Sequence, residues 1–251
     1  MRLASRTEMA VIGGCLVSAL AGQALAVETI TLRSGQVGGL PGSATQLDDI
    51  VTFGATVPTG PLSANPFTAA DFNASSANPA VVINPYFVWA PSLTFDPQAR
   101  WIGTGLYNEP GLPPDLGAPS SALYRVPFTV STATITSASL SIAWACDDAL
   151  GDQIWGGANP FGAYLRDSFG NVTILTPVTA GSFATETIVT NLNITGAITT
   201  GANELFLYQR DQGSGISGLI FGAEVRVVPA PGASLMAVAA WAVSFRRRRN
   251  P

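Results

Sequence analysis

Three carboxylates stand close together in the segment Trp144–Asp152 and offer the clearest chemistry in the chain. Asp147, Asp148 and Asp152 fall within six residues, beside a turn at Gly151. Carboxylate and carbonyl oxygens are the ligands that Ca²⁺ prefers, so this segment predicts a calcium site, although its spacing differs from the twelve-residue calcium loop. A solvated turn is the other interpretation, because Asp side chains readily hydrogen-bond the nearby backbone.

A second set of side chains follows directly and has the composition of a small-ligand site. Such sites combine flat apolar rings with a few directed hydrogen-bonding groups, and sugar-binding surfaces are of this kind. Trp155 stands in the glycine-rich stretch 151–162, so it is either exposed to a ligand or folded back over the core. Tyr164 also falls in a predicted strand. The candidate ligand-binding residues are Trp155, Asn159, Tyr164 and Arg166.

Residue types that the commoner catalytic mechanisms need are missing from the sequence, which contains no His and no Lys. It therefore lacks Ser–His–Asp and Cys–His arrangements, imidazole zinc ligands and a Schiff-base lysine. Paired carboxylates could still cleave glycosides, but the three aspartates are too close in sequence to act as clearly opposed partners. We therefore expect no catalytic activity, with a secreted carboxylate glycosidase as the alternative.

Charge and cysteine content narrow the choice of partners. Between Val27 and Val228 the chain carries six Arg against fifteen Asp and Glu. Nucleic-acid binding depends on phosphate neutralisation by basic side chains, so this acidic body predicts no nucleic-acid partner. Cys15 falls in a predicted leader segment, which leaves Cys146 alone and excludes an internal disulfide. We expect Cys146 to be a small buried hydrophobe.

The sequence predicts that β-strands position these residues. Short runs rich in Val, Ile, Thr and aromatics alternate with Gly, Pro, Asn, Asp and Ser clusters, which is typical of an all-β domain. Leu140, Ile142 and Trp144 share one face of a strand, and both faces of 205–208 are apolar, as in a central strand. The predicted strands are 28–32, 81–89, 122–130, 138–146, 163–167, 172–176, 186–192, 204–210 and 221–228.

Two stretches predict loops instead of long strands. Residues 34–80 are rich in Gly, Pro, Ser, Thr and Ala, so we expect long loops there with one or two short strands, such as Ile50–Phe53. Residues 211–218 contain three glycines and predict a flexible hairpin loop. They do not form a phosphate-binding loop, since no Lys and no strand-to-helix context follow.

The N-terminus has the order of a secretory signal. Arg2 and Arg6 precede an apolar run, and Ala24 and Ala26 occupy the small-residue positions before a cleavage site. This order predicts a signal peptide over residues 1–26 that is cleaved after Ala26. A retained N-terminal membrane helix is the alternative.

The C-terminus has the order of a membrane-sorting tail. The apolar run 233–245 is shorter than the about 20 residues that span a bilayer, and a basic cluster follows it, as expected on the cytoplasmic side. We therefore expect an exported protein that makes transient contact with the inner membrane. The residues of this pattern are Pro229, Ala230, Pro231, Arg246, Arg247, Arg248 and Arg249.

This combination of Pro-x-Pro, short apolar helix and arginine cluster over 229–251 resembles the PEP-CTERM sorting tail. The resemblance implies processing by a membrane enzyme of the exosortase type, in a bacterium that secretes exopolysaccharide. Ala230 stands where the family motif has Glu, which bears on the cleavage step. An ordinary C-terminal anchor is the alternative.

The body resembles the jelly-roll β-sandwiches of the galactose-binding-like group, through segments 99–102, 122–128, 138–148 and 201–209. The resemblance implies a jelly-roll-like β-sandwich over 27–228, flanked by an N-terminal signal helix and a C-terminal hydrophobic helix. We expect an exported protein of the cell surface, extracellular matrix or biofilm, and weak binding of extracellular polysaccharide is the more specific hypothesis. A purely structural surface protein is the third possibility.

Overall fold

The computed structural model describes residues 26–105, 120–213 and 216–230, and groups Val27–Pro229 into one unit. The predicted signal helix and hydrophobic tail helix lie outside these residues, as do the site residues Ala24, Pro231, Arg246, Arg247, Arg248 and Arg249. Within the three described ranges, no helix is long and apolar enough to cross a membrane.

The described residues form an all-β fold with antiparallel strand pairs, as the strand-and-turn pattern predicts. The strands are β1 Glu28–Arg33, β2 Gln36–Val37, β3 Leu40–Pro41, β4 Leu47–Val57, β5 Asn78–Val82, β6 Ile102–Gly103, β7 Ser121–Val130, β8 Ile135–Asp147, β9 Ala149–Leu150, β10 Ala163–Arg166, β11 Val172–Ile174, β12 Thr187–Asn193, β13 Gly201–Arg210 and β14 Gly218–Pro229. The helical elements are α1 Ala69–Ala74 and a 3-10 helix, Gln153–Trp155.

One large sheet curls through twelve of these strands. Its order is β11-β10-β13-β7-β4-β5-β6-β14-β8-β12, with β1 added to β14 and β9 to β13, while β2 and β3 pair separately. The curl lets residues from distant strands enclose one main apolar core, which contains side chains of β7, β8, β13 and β14.

The predicted strand faces are confirmed where the apolar alternation is strong. Leu140, Ile142 and Trp144 all point into the main core and are fully buried. Residues 205–210 are buried, and β13 lies between β7 and β10, which confirms it as a central strand. Cys146 is a buried core residue, as expected, and burial raises the pKa of its thiol.

Two expectations about the segments 34–80 and 81–89 are wrong. The predicted strand 81–89 ends at Val82, because the chain turns at Tyr86–Trp89, where Trp89 N donates to Tyr86 O at 2.8 Å. The stretch 34–80 holds an eleven-residue strand, β4, and a helix, α1. The buried Asp48 carboxylate accepts four backbone N–H groups there, a contact that composition does not reveal.

The stretch 211–218 does not close a hairpin. It joins β13 to β14, and these strands are not neighbours in the sheet. Both edges of β13 are already occupied, by β7 on one side and by β10 and β9 on the other. The chain therefore has to cross to the other part of the curled sheet.

A separate apolar cluster, outside the main core, covers the outer face of β7, β10 and β13. Its buried members are Phe72, Leu123, Tyr164, Phe206 and Tyr208. Helix α1 supplies Phe72, whose ring meets that of Phe206 edge-on at 4.8 Å. A capping box between Thr68 and Asp71 satisfies backbone N–H groups at the start of this short helix.

The pairing of β8 with β14 defines two opposite ends of the domain. Gly218 faces Asp147 at one end, and Pro229 faces Ile135 at the other, about 35 Å away at the usual rise of a strand. We call the first end the loop pole; it holds Asp147, Asp148, Arg210 and Asp211. We call the second the terminal pole, because Glu28 pairs with Val227 there and both chain ends leave the sheet at this end.

Ile142→Ala is expected to lower the free energy of unfolding by about 2–5 kcal/mol, because it leaves a cavity in the main core. Ile188 lies on the neighbouring strand β12 and is 46% exposed, so Ile188→Ala should cost less than about 1 kcal/mol. Urea denaturation of both variants measures the difference. Equal losses would show that the faces of β8 and β12 are assigned incorrectly.

Candidate functional site

The structure brings two of the three predicted metal-binding aspartates together at the loop pole. Asp147 ends β8 and Asp148 follows it, and the side chain of Asp148 is close enough to raise the pKa of Asp147. Trp89 Nε1 donates to Asp147 Oδ2 at 3.1 Å, and Gln212 N donates to Asp148 Oδ2 at 2.7 Å. The peptide bond between the two aspartates is cis. Asp147 is 9% exposed, and Asp148 is half-buried.

The negative charge of a third carboxylate, Asp211, also raises the pKa of Asp147. The sequence does not predict that Asp211 lies near this pair. Burial, then the hydrogen bond and the negative charge of Asp148, raise the pKa of Asp147 to about 7. Burial and the charge of Asp148 raise the pKa of Asp211 to about 7 as well. Asp211 directly follows a strand that the sequence predicts as central, but nothing in the sequence places the end of that strand beside Asp148.

Asp152 does not join the pair and forms a buried ion pair instead. Its carboxylate accepts from Arg210 Nη1 at 2.6 Å and from Tyr208 Oη at 2.9 Å. The Arg210 guanidinium also stacks on the Trp155 ring, 4.8 Å from the centroid. In the described ranges, no three acidic, His or Cys side chains converge closely enough to hold a metal ion, so the predicted set of Asp147, Asp148 and Asp152 is not assembled as one site.

Glycines allow the chain after β9 to fold back tightly around Asp152. Gly151 has a φ of +76°, and a Cβ there would lie 2.4 Å from the Pro160 carbonyl oxygen. Only glycine fits this position without strain. The Asp152 carboxylate also accepts from Asn159 N at 3.2 Å, so the turn at Gly151 brings Asn159 back to the start of its own loop.

An aromatic cavity of about 390 Å³ opens beside this loop, on the flank of the sheet. It contains two of the four predicted ligand-binding residues, Asn159 and Tyr164. Trp155 and Arg166 are not among the residues that line it. The walls are mostly apolar and come from α1 and the segment before it, the loop before β10 and strands β10 and β11: Pro66, Phe67, Ala69, Phe72, Ala158, Pro160, Phe161, Val172 and Ile174.

The polar groups of the cavity shape its walls. Asn159 Oδ1 accepts from Phe67 N at 2.8 Å, and its Nδ2 donates to Asn65 O at 3.0 Å. Tyr164 Oη donates to Phe161 O at 3.0 Å. Asn159 therefore ties the segment before α1 to the loop before β10, and the Tyr164 hydroxyl, which donates to Phe161 O, can still accept a hydrogen bond.

Arg166 and Trp155 have structural partners. Arg166 forms an ion pair with Glu204, donates to Asn73 Oδ1 at 2.6 Å and lies over the Phe206 ring. Burial opposes ionisation of Glu204, but hydrogen bonds from Arg166 and Arg125 outweigh it and hold the pKa of Glu204 below its ordinary value. Trp155 is half-buried against Arg210.

Comparisons with known proteins identify no family. No family model matches the chain, and no curated protein matches it. A solved structure of the infectious bursal disease virus Gx strain is similar with a TM-score of 0.24 and 14% sequence identity, over 83% of this chain. The chain spans 57% of that viral chain.

The folded domain is expected to lose stability as the pH rises from about 4 to about 7. The pKa values of Asp147 and Asp211 rise from 3.8 to about 7 on folding. The folded state therefore binds these protons more tightly, and the resulting stabilisation is complete below pH 4 and lost by about pH 7. Urea denaturation across this range measures the slope.

The variants Asp147→Asn and Asp211→Asn should flatten the pH dependence of stability, since neither amide titrates. Asp49→Asn is the matched control, because Asp49 is exposed and lies on β4, away from the aspartate pair. A slope that persists unchanged in the double variant Asp147→Asn/Asp211→Asn would assign the pH dependence to other groups.

Proposed function

We propose that the protein is an exported, non-catalytic jelly-roll β-sandwich that acts at the cell surface or in the extracellular matrix and binds carbohydrate rings. The observation that carries this proposal is the aromatic cavity on the flank of the sheet. Its volume of about 390 Å³ falls among small-ligand sites, which run from about 300 to 1,000 Å³. Four aromatic residues, Phe67, Phe72, Phe161 and Tyr164, line it.

The sandwich interpretation is supported by how the curled sheet packs. The strands from β11 to β4 in the sheet order form one part, and those from β6 to β12 form the other. Side chains of both parts meet in the main core, such as Tyr124 and Leu207 with Trp144 and Phe221. Two antiparallel layers around one core are the arrangement of a β-sandwich.

Carbohydrate is the ligand class that we favour because of the chemistry of the walls. Sugar rings have apolar C–H faces that pack on aromatic side chains, and their hydroxyl groups need a few polar partners. Phe161 and Phe67 are half-buried walls, and the Tyr164 hydroxyl supplies an acceptor. Val172 and Ile174 are 39% and 50% exposed at the edge strand β11, so this wall is accessible from solvent.

Binding is favoured over cleavage by the position of the carboxylates. Glycoside hydrolysis uses two carboxyl groups that flank the scissile bond, about 5 Å or more apart. The residues that line the cavity include no Asp and no Glu. Asp147 and Asp148 lie at the loop pole and are not among the residues that line the cavity.

Display at the cell surface is supported by the sequence signals and by where the chain leaves the domain. Pro229 ends β14 at the terminal pole, and Ala230 is the last residue described there. A tail that is held in the inner membrane and processed by an exosortase-type enzyme would hold the domain by this pole. The loop pole, about 35 Å away, would then face the extracellular polysaccharide.

Retention on immobilised polysaccharides tests the binding site. We expect the wild-type protein to be retained on at least one polysaccharide and Phe161→Ala to bind about tenfold more weakly, a loss of about 1.4 kcal/mol, because a ring of the cavity wall is removed. Phe169→Ala is the matched control, since Phe169 is 81% exposed and does not line the cavity. No retention of the wild type, or equal losses for both variants, would contradict the proposal.

Mass spectrometry of the mature protein from its natural host tests export and sorting. We expect an N-terminus at Val27 and a C-terminus that lacks the arginine cluster 246–249. An intact Met1 would contradict the signal peptide. A chain that ends at Pro251 would contradict processing by an exosortase-type enzyme.

A further inference from the structure

A second pocket, of about 230 Å³, lies beside the loop that follows β5. Its walls come from residues 42–44, from the residues at and after the end of β5 and from the pair Arg100 and Trp101. Among the described residues that line this pocket, Arg100 is the only charged one. The pocket therefore has a local positive charge, although the body of the chain is acidic.

Arg100 differs from the other arginines of the domain in having no carboxylate partner. Within 26–105, 120–213 and 216–230, each of the other five arginines forms an ion pair with Asp or Glu, whereas Arg100 forms none. The charge of a guanidinium is permanent at neutral pH. The half-buried Arg100 therefore offers an unbalanced positive charge to an anion from solvent.

The Arg100 guanidinium is held by one nitrogen and keeps one edge free. Nη1 donates to Pro97 O at 2.9 Å and to Ala99 O at 2.8 Å, which uses both N–H groups of that nitrogen. Nε and Nη2 donate to no group in the part of the chain that the structure describes. These two nitrogens can bind a carboxylate through two parallel hydrogen bonds, and the anchored Nη1 reduces the entropy cost of presenting them.

Backbone hydrogen bonds fix the walls around this guanidinium. Arg100 N donates to Ser34 O at 2.9 Å, and Ile83 N donates to Trp101 O at 2.9 Å. The Trp101 indole Nε1 donates to Ala90 O at 2.8 Å. The pocket is therefore formed by segments that are tied to one another before any ligand binds.

An exposed pair of aromatic rings adjoins the pocket. Pro85 and Pro91 both line it, so the loop between them begins and ends at the pocket wall. This loop carries Phe87, which is 83% exposed, and Tyr86, which is 37% exposed, with ring centroids 4.5 Å apart. Exposed apolar groups that cluster often mark a binding surface, and such rings suit the C–H face of a sugar.

We propose that this pocket binds a uronic acid, a sugar that bears a carboxylate, as a unit of an acidic polysaccharide. Arg100 would bind the carboxylate through Nε and Nη2, and Phe87 would contact the sugar ring. The choice of a carboxylate depends on Arg100 alone, whereas the choice of a sugar as its carrier rests on the proposed function. The pocket shares no residue with the aromatic cavity and is smaller, which fits a single sugar unit.

Calorimetric titration of the purified protein with sodium glucuronate and with glucose tests the proposal, because these sugars differ only in the carboxylate at C6. We expect saturable binding of glucuronate, at least tenfold tighter than that of glucose. Sodium acetate, which has the carboxylate without the ring, should also bind at least tenfold more weakly. The proposal is overturned if glucuronate does not bind, or if glucose or acetate binds equally well.

Variants of Arg100 assign the binding to this pocket. Arg100→Gln should weaken glucuronate binding at least tenfold, and Arg100→Lys at least fivefold, because an ammonium group cannot reproduce the two parallel hydrogen bonds. Arg226→Gln is the matched control, since Arg226 is an exposed arginine on β14. Circular dichroism shows which variants are folded. Unchanged glucuronate binding by either folded variant of Arg100 overturns the assignment.

Phenylalanine variants separate this pocket from the aromatic cavity. Phe87→Ala should weaken glucuronate binding severalfold, whereas Phe169→Ala, at a ring that is 81% exposed elsewhere, should not. Equal binding by these two variants would overturn the contact of Phe87 with the sugar. Phe161→Ala should bind glucuronate like the wild type, and a loss there with binding retained in Arg100→Gln would place the uronate in the cavity instead. Retention on neutral polysaccharides tests the proposed function separately, because it does not involve Arg100.

Discussion

The antiparallel register between β8 and β14 is the constraint from which the functional geometry follows. Twelve consecutive residues of β14 pair along β8, and β1 adds to the other edge of β14. A shift of one residue would turn Ile142 and Trp144 out of the main core and would expose their apolar side chains. The register therefore holds Asp147 at one end of the domain and the departing chain ends at the other.

Strand β13 connects the main core to the outer aromatic cluster on the flank of the domain. Its alternating side chains serve two environments: Leu205 and Leu207 fill the main core, while Phe206 and Tyr208 form the outer cluster. At its end, Arg210 is buried with Asp152, an arrangement that tolerates desolvation only because Tyr208 and the Asn159 backbone also donate to that carboxylate. This polar group holds the loop that shapes the aromatic cavity, so burial of one ion pair and the form of the cavity are coupled.

The sequence reveals only some of the residues that line the aromatic cavity. Asn159 and Tyr164 could be selected because aromatic and amide residues follow a glycine-rich turn, and both line the cavity. Phe67 and Phe72 could not, because they lie in a stretch whose composition predicts loops, and helix α1 is short. Trp155 and Arg166 match the composition of a ligand site equally well, but each has a charged partner from another strand, Arg210 and Glu204. Pattern within one segment carries no information about such partners.

The sequence by itself determined the all-β class, the buried faces of β8 and the central place of β13, because period-two alternation of apolar residues is a local property of the chain. It also determined that imidazole and lysine chemistry are absent, which composition alone decides. Only the tertiary structure decided which carboxylates meet. Asp152 is four residues from Asp148 yet forms an ion pair with Arg210. Asp211 is 63 residues from Asp148, yet the charges of these two aspartates interact. Hydrogen bonding across strands selects partners by sheet register, and register depends on contacts that no single segment contains.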